Sequence, residues 1–503
     1  MLLLLLSLAA QDTLQWRPSW PGTEMAIVKG NPYASEPFVF RFRMPSGYWI
    51  HPHSHPVDAH IRVISGTFLV GMGDVLDSAK VRTLAPGKAI DVKTGMHHFE
   101  GTRGPTDIEV SGTGPWGITF VDPANAPVPP APSSPPRAIA NVTVIDVRAG
   151  VALADQNVIV IGERIAGVGP AGSTPIPTGA QTLDGRGKYL IPGLWDMHVH
   201  ADSADLATLI RFGITGARDM SGDITALLAL RRGITARVLS GPRLVFAGPL
   251  LRGPRSASDS EPWVIRTPEQ GRRAVDSLTA LGADFIKMHE DLSRDAYFAM
   301  AAEAKLKGMP FVGHVPAALT PLEASAAGQR SIEHLEFVPD RCMPIFNGQS
   351  PPDCSAAGLT GLIASLVANE TWLDPTIGSF RAFAPQQFPA ILAGFKQLVP
   401  VLRAQRADIL TGTDLGNTGI IPGESLHDEL ALLVEAGYTP AEVLRAATLN
   451  PATFLGLTGS LGTVERGNFA DMVLLDADPL ADIRNTRRIA FVFQGGRIVS
   501  RGN

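Results

Sequence analysis

The first quarter of the chain alternates apolar and polar positions with a period of two. FVFRFRM (38–44), HIRVISGTFLVGMG (60–73), KAIDV (88–92) and GITFV (117–121) read as short strands punctuated by glycine and proline. No helical periodicity interrupts them, so residues 12–122 predict a small all-β barrel or jelly roll. Residues 123–136 (PANAPVPPAPSSPP) are half proline and can sustain neither helix nor sheet, so 123–137 reads as a stiff linker. Short strands resume over 138–190. From 191 the rhythm becomes strand, helix, strand: the strand windows are 193–198, 215–220, 243–249, 284–288, 310–315, 331–335, 372–376 and 408–414. Helical stretches such as TPEQGRRAVDSLTALG and SRDAYFAMAAEAKLKG lie between them, each closing on glycine. Eight strands with intervening helices predict a (β/α)8 TIM barrel over 191–458. The tail, 459–503, returns to strands and is expected to pair with 138–190 as a small composite β-sandwich. The expected class is therefore α/β, with an appended all-β unit.

Composition narrows the function. The 503 residues are 45% hydrophobic and 18% charged, which excludes a wholly disordered chain. A net charge of −5 gives no basic field for nucleic acid, and no apolar run reaches the length of a membrane span. The start, MLLLLLSLAAQ, carries an apolar run and then small residues, though no basic n-region. Residues 1–11 are read as a signal peptide, and the chain as periplasmic or secreted. The two cysteines, Cys342 and Cys354, lack metal-site spacing and are either a short disulfide loop or free thiols.

The twelve histidines fall into two groups that respect the proline seam. His198 and His200 end the first barrel strand in DMHVH, and residues i and i+2 of a strand share a face. Lys287 ends the fourth strand, His314 the fifth, His334 the sixth and Asp414 the eighth. Each taken alone has a plain structural reading: a hydrogen-bonded histidine, a solvated lysine, a turn-forming aspartate. Together they place metal-capable groups on five strand ends at the face where such barrels keep their chemistry. Arg218, at the end of the second strand, is either a partner for a substrate carboxylate or part of an internal ion pair. His427, in ESLHDELALLVEAG, is a candidate substrate contact or a helix residue.

These motifs, PGLWDMHVH, the strand-end lysine, GHV, EHLE, GTDLG and the closing AATLNPATFLGLTGSLGTVERGNFADMVLLDADPLADIRNTRRI, resemble the metal-dependent amidohydrolase superfamily over about 138–503. The branch most resembled is the imidazolonepropionase-like and prolidase-like one. The resemblance implies a carboxylated Lys287 bridging two divalent ions, zinc by ligand chemistry. His198 and His200 would hold one ion with Asp414, and His314 and His334 the other. Such a pair activates a bridging hydroxide, with Asp414 as general acid and base on an amide, peptide or cyclic amide. Relatives often carry a tyrosine shortly after the lysine; here IKMHED puts His289 in its place, as a candidate substrate contact.

HPHSHPVDAHIRVISGTFLVGMG with LAPGKAIDVKTGMHHF resembles a cupin over about 25–122. His53, His55 and His98 match the cupin histidines and imply a second metal site there. The cupin glutamate position falls on Ala59, which cannot ligate, and His60 would point to the opposite face. The expected activity is hydrolysis of a C–N bond in a small molecule. Two alternatives remain: a mononuclear hydrolase or deaminase that ignores Lys287, and a cupin-centred binding module or oxygenase. A cupin that pairs with another would make the chain a homo-oligomer.

Overall fold

The computed structural model describes residues 14–122 and 135–502, apart from residues 15, 21, 31, 33–35, 201, 257, 258, 260, 340, 341 and 343–355. The leader-like residues 1–11, the linker through residue 134 and Cys354 lie outside the described residues. Cys342 is buried and disulfide-bonded. The chain divides into two compact units, 1–133 and 134–503.

The first unit consists of two antiparallel sheets, and among its described residues no helix occurs. The six-stranded sheet runs in the order Arg17–Pro18, Glu24–Lys29, Pro37–Met44, Thr106–Thr113, Ala59–Ser65, Ala89–Val92. The five-stranded sheet runs Thr119–Phe120, Trp49–Ser54, His98–Thr102, Phe68–Met72, Arg82–Leu84. Alternation places Phe38, Phe40, Phe42, Ile61, Val63, Ile108 and Val110 of one sheet in a single core with Ile50, Phe68 and Val70 of the other.

In the second unit, Tyr189–Pro192 pairs antiparallel with Met472–Leu475. This joins the segments before and after the α/β region into one hydrogen-bonded sheet of eight strands. Its outermost described strands are Arg164–Pro170 and Arg497–Arg501, and the first strand of the segment begins at Arg137, inside the stretch read as linker.

The α/β region holds two arcs of parallel strands. Leu194–Val199, Ile214–Asp219 and Arg243–Phe246 form one; Ile286–Met288, Phe311–Gly313, Ser331–Glu333 and Trp372–Asp374 form the other. Backbone bonds bridge the arcs on both sides. Asp284 N donates to Phe246 O and Leu251 N to Lys287 O on one side; Leu410 N donates to Leu373 O and Met197 N to Thr411 O on the other. The eighth window, 408–414, is therefore a chain of single bridges rather than a regular strand. Its ladder is broken where Thr413 N donates to the Asp196 carboxylate and Asp414 turns to a φ of 63°. The helices between strands are capped as the sequence indicates. In Pro268–Leu281 the Thr267 hydroxyl accepts from Gln270 N and Gly282 closes at a φ of 89°.

Strand packing around Trp195 leaves no spare room. A Cβ on Gly216 would lie 2.1 Å from the Trp195 ring, which is 2% exposed. Gly216→Ala should therefore lower stability by about 1–3 kcal/mol, read as a reduced urea midpoint at unchanged slope.

Candidate metal centres

The strands deliver the candidate ligands to one end of the arcs. His198 lies in the first strand and His200 one residue past its end; Lys287 lies in the fourth strand. His314, His334 and Asp414 sit just beyond regular structure. Asp414 Oδ1 is 3.4 Å from His198 Nε2 and 3.3 Å from His200 Nε2. Lys287 Nζ is 3.5 Å from His198 Nε2. Ring centroids of His198 and His334 are 4.9 Å apart, and those of His314 and His334 are 5.0 Å apart.

All four imidazoles are held in the same manner. Nδ1 of His198 meets Glu333 Oε2 at 3.0 Å, and Nδ1 of His314 meets Glu336 Oε1 at 2.5 Å. Nδ1 of His200 meets Ser221 O at 3.3 Å, and Nδ1 of His334 meets Thr376 Oγ1 at 2.7 Å. His200 Nδ1 also meets the Ser221 hydroxyl, at 3.1 Å. A carboxylate accepts, so in His198 and His314 the proton belongs on Nδ1 and the lone pair on Nε2. That is the tautomer a metal ligand needs, fixed by outer partners. His198, His200 and Asp414 offer ligand atoms that all lie within 4.8 Å of one another. The residues thus fit a divalent ion.

Electrostatics agree. Burial first, then the Lys287 charge, holds His198 and His314 well below the ordinary histidine value. Burial, reinforced by His314, lowers His334 to about 4. Burial alone would push the Asp414 carboxyl up; the surrounding His198, His200 and His334 outweigh it and keep it ionised. Burial also depresses the Lys287 amine. Three non-glycine residues here adopt left-handed backbone: His334 (φ 55°), Thr376 (φ 42°) and Asp414 (φ 63°). Such strain persists where surrounding contacts enforce it.

Of the three candidate substrate contacts, two take their structural alternatives. Arg218 is fully buried beneath the site: its guanidinium donates to Ser331 Oγ, to Glu333 Oε2 at 2.8 Å and to Asp374 Oδ2 at 3.2 Å. It is an internal ion-pair partner that steadies the carboxylate orienting His198. Burial pushes Asp374 well above the carboxylate range, and the neighbouring Glu333 pushes it further. His427 is fully buried away from the ligand cluster, with Nδ1 on Thr486 Oγ1 and Nε2 donating to Phe212 O. Both ring nitrogens are occupied in tying its helix to neighbouring loops. His289 does lie beside the cluster, its ring 4.5 Å from that of His314.

The N-terminal unit holds a second convergence. His53 and His98 are directly paired across neighbouring strands, and ligand atoms of His53, His55 and His98 lie within 4.8 Å of one another. Their Nδ1 atoms face backbone carbonyls of His51, Gly117 and Met96 at 2.7, 2.9 and 3.0 Å. His60 and His97 instead pair with the exposed Asp91 and Asp74.

Sequence reasoning missed the acids. Glu333 and Glu336 flank His334 in SIEHLE, and Glu100 follows His98 by two residues on one strand, so period two alone was enough to find it.

A parallel α/β architecture whose strand ends carry convergent imidazoles and carboxylates defines a class of metal-dependent hydrolases. Comparison with known proteins gives the family. A model described as "Amidohydrolase family" matches residues 189–499. The imidazolonepropionase of Rubrobacter xylanophilus is 30% identical over 370 residues, covering 64% of this chain and 84% of that protein. An adenine deaminase 2 of a Jannaschia species is 25% identical over 356 residues, and the match spans 68% of this chain and about half, 52%, of that relative. Phenylurea hydrolase B superposes with a TM-score of 0.58 at 26% identity, over 73% of this chain and 97% of that one. A Xaa-Pro dipeptidase with bound methionine gives 0.61 at 21% identity, over 73% of this chain and 100% of that one, a likeness of fold. The chain belongs to the amidohydrolase family, as a hydrolase of C–N bonds with a β-rich N-terminal unit.

Two measurements check these two residues. Arg218→Met would leave a buried carboxylate unpaired and should cost about 3–5 kcal/mol in urea unfolding. Burial lowers His427 from 6.5 to about 4. Between those values the unfolded chain takes up a proton that the folded chain refuses, so stability falls as pH drops through 6.5 toward 4, by at most roughly 3 kcal/mol from this residue. The urea midpoint of His427→Gln should fall less between pH 7 and pH 5 than that of the parent chain.

Proposed function

We propose that the chain is a binuclear amidohydrolase that cleaves the C–N bond of a small amide: a dipeptide, an N-acyl amino acid or a cyclic amide. The observation that carries this reading is the set of four imidazoles, His198, His200, His314 and His334, each engaged by an outer partner at Nδ1 and gathered with Lys287 and Asp414. His198 and His200 would hold one ion with Asp414, and His314 and His334 the other. Lys287 as an amine offers one donor atom; carboxylated at Nζ by carbon dioxide it would offer two oxygens, enough to serve both. Two divalent ions, zinc by the nitrogen and oxygen donor set, would supply an acidified water and a polarised substrate carbonyl.

The chain's own part is proton handling and placement. Asp414 Oδ1 lies against His198 and His200, and as a carboxylate it can accept the proton of the attacking water and return it to the leaving nitrogen. Glu333 and Glu336 hold His198 and His314 in register, and Arg218 anchors Glu333 from below. His289, beside His314, is placed to touch substrate. The N-terminal unit we read as cupin-like: its two antiparallel sheets and the pairing of His53 with His98 support this.

The competing reading is a mononuclear hydrolase or deaminase that does not use Lys287; the adenine deaminase relatives favour its deaminase form. Zinc-loaded chain assayed on dipeptides, N-acyl amino acids and cyclic amides separates the two. Asp414→Asn should lower kcat by about 10²–10⁴, and Lys287→Ala should lose activity together with at least one of two barrel ions. Unchanged turnover and metal content in Lys287→Ala would overturn the binuclear reading.

A further inference from the structure

Within the N-terminal unit, ligand atoms of His53, His55 and His98 converge, with Glu100 beside His98. Each histidine directs its Nδ1 to a backbone carbonyl, of His51, Gly117 or Met96, and so turns its Nε2 lone pair inward. His53 Nε2, His98 Nε2 and Glu100 Oε1 are buried without a hydrogen-bond partner. Glu100 Oε1 lies 3.5 Å from His98 Nε2, beyond a normal hydrogen bond, and its side chain is 5% exposed. Lone pairs pointed at one another in a dry interior are costly; a proton on His98 would relieve its contact with Glu100 but leave His53 Nε2 without a donor. A cation is the species that satisfies all four.

We propose that Glu100 is the anionic fourth ligand of a divalent ion held by His53, His55 and His98, and that the site binds a small apolar carboxylate. Glu100 occupies the role for which Ala59 is unfit, but from a different strand, two residues beyond the third histidine. One carboxylate and three neutral imidazoles leave a divalent centre with one positive charge, which favours an anionic donor in its open position.

The ligand's body is set by the space next to it. A cavity of about 350 Å³ adjoins the site. His55 and Glu100 supply its polar wall, and Phe40, Phe42, Trp116 and Phe120 are among its apolar walls. Trp116 also stacks on His55 with centroids 4.1 Å apart, which stiffens that ligand. Since a cavity of about 150 Å³ accommodates benzene, this one suits a molecule of one or two rings. The proposal rests on the cupin-like reading of this unit and is independent of hydrolysis at the barrel.

The test uses the full chain, cobalt(II) as the metal and benzoate as the ligand probe. Metal per chain is measured by elemental analysis, and the cobalt visible spectrum is followed as benzoate is added. The parent chain should hold one more ion than His53→Ala, and benzoate should shift a spectral component that His53→Ala lacks. Glu100→Gln should weaken that ion's binding by at least about tenfold, with Glu100→Asp recovering part of the loss. Equal metal content in the parent and His53→Ala would overturn the site and leave a protonated His98–Glu100 pair in its place. Unweakened cobalt binding in Glu100→Gln would remove Glu100 as a ligand, and a spectrum indifferent to benzoate would remove the proposed occupant. Should Glu100→Gln fail to fold, the comparison of parent with His53→Ala and His98→Ala still decides. Barrel hydrolysis is judged separately by Asp414→Asn, so failure of either reading is recognised without the other.

Discussion

An imidazole can serve a cation only with the nitrogen that carries no proton, and that requirement governs this molecule. Four rings converge above the parallel strands, and each surrenders its Nδ1 to a partner outside the cluster: Glu333, Ser221, Glu336 or Thr376. Glu333 and Glu336 accept from the ring, so for His198 and His314 the tautomer follows from the scaffold before any ion arrives. The N-terminal unit meets the same requirement by another route, with carbonyls of His51, Gly117 and Met96 in place of side chains. Backbone acceptors bring no added charge into the interior, whereas carboxylate acceptors do.

That difference explains the polar floor beneath the barrel site. Glu333 is entirely buried, and a lone buried carboxylate is expensive. Arg218 answers it, Ser331 donates to its second oxygen, and burial raises the neighbouring Asp374. The cluster is therefore a paired unit wedged between Met197 above and the strand ends around it. The strained backbone of His334, Thr376 and Asp414 lies on its rim. Rigid support below and constrained turns above are what place six side chains from distant stretches in one small volume.

Much of this was legible in the chain itself. The i, i+2 spacing of His198 and His200, and the strand-end positions of Lys287, His314, His334 and Asp414, followed from periodicity and glycine-closed helices. Positions that depend on burial were not legible. For Arg218 the sequence left a substrate partner and an internal ion pair both open, and for His427 a substrate contact and a helix residue. The fold sinks both, and desolvation makes them internal partners. Glu100 was overlooked for the opposite reason: the resemblance directed attention to Ala59, while the strand His98–Thr102 had already turned the nearby acid inward. The eighth strand window was read as regular from its place in the strand–helix rhythm, yet a side-chain acceptor on Asp196 and the turn at Asp414 break its ladder.

The order of donors along the chain and the periods of the elements that carry them are local properties, because side-chain direction repeats every two or every 3.6 residues. They settle which ligand types reach the same end of the α/β unit. Which ring nitrogen is free, which arginine is paired and which carboxylate burial raises depend on distances between residues more than a hundred positions apart, as between Arg218 and Glu333. Those distances exist only after folding has removed water from between them, and it is that removal that fixes the charge and the tautomer of each group.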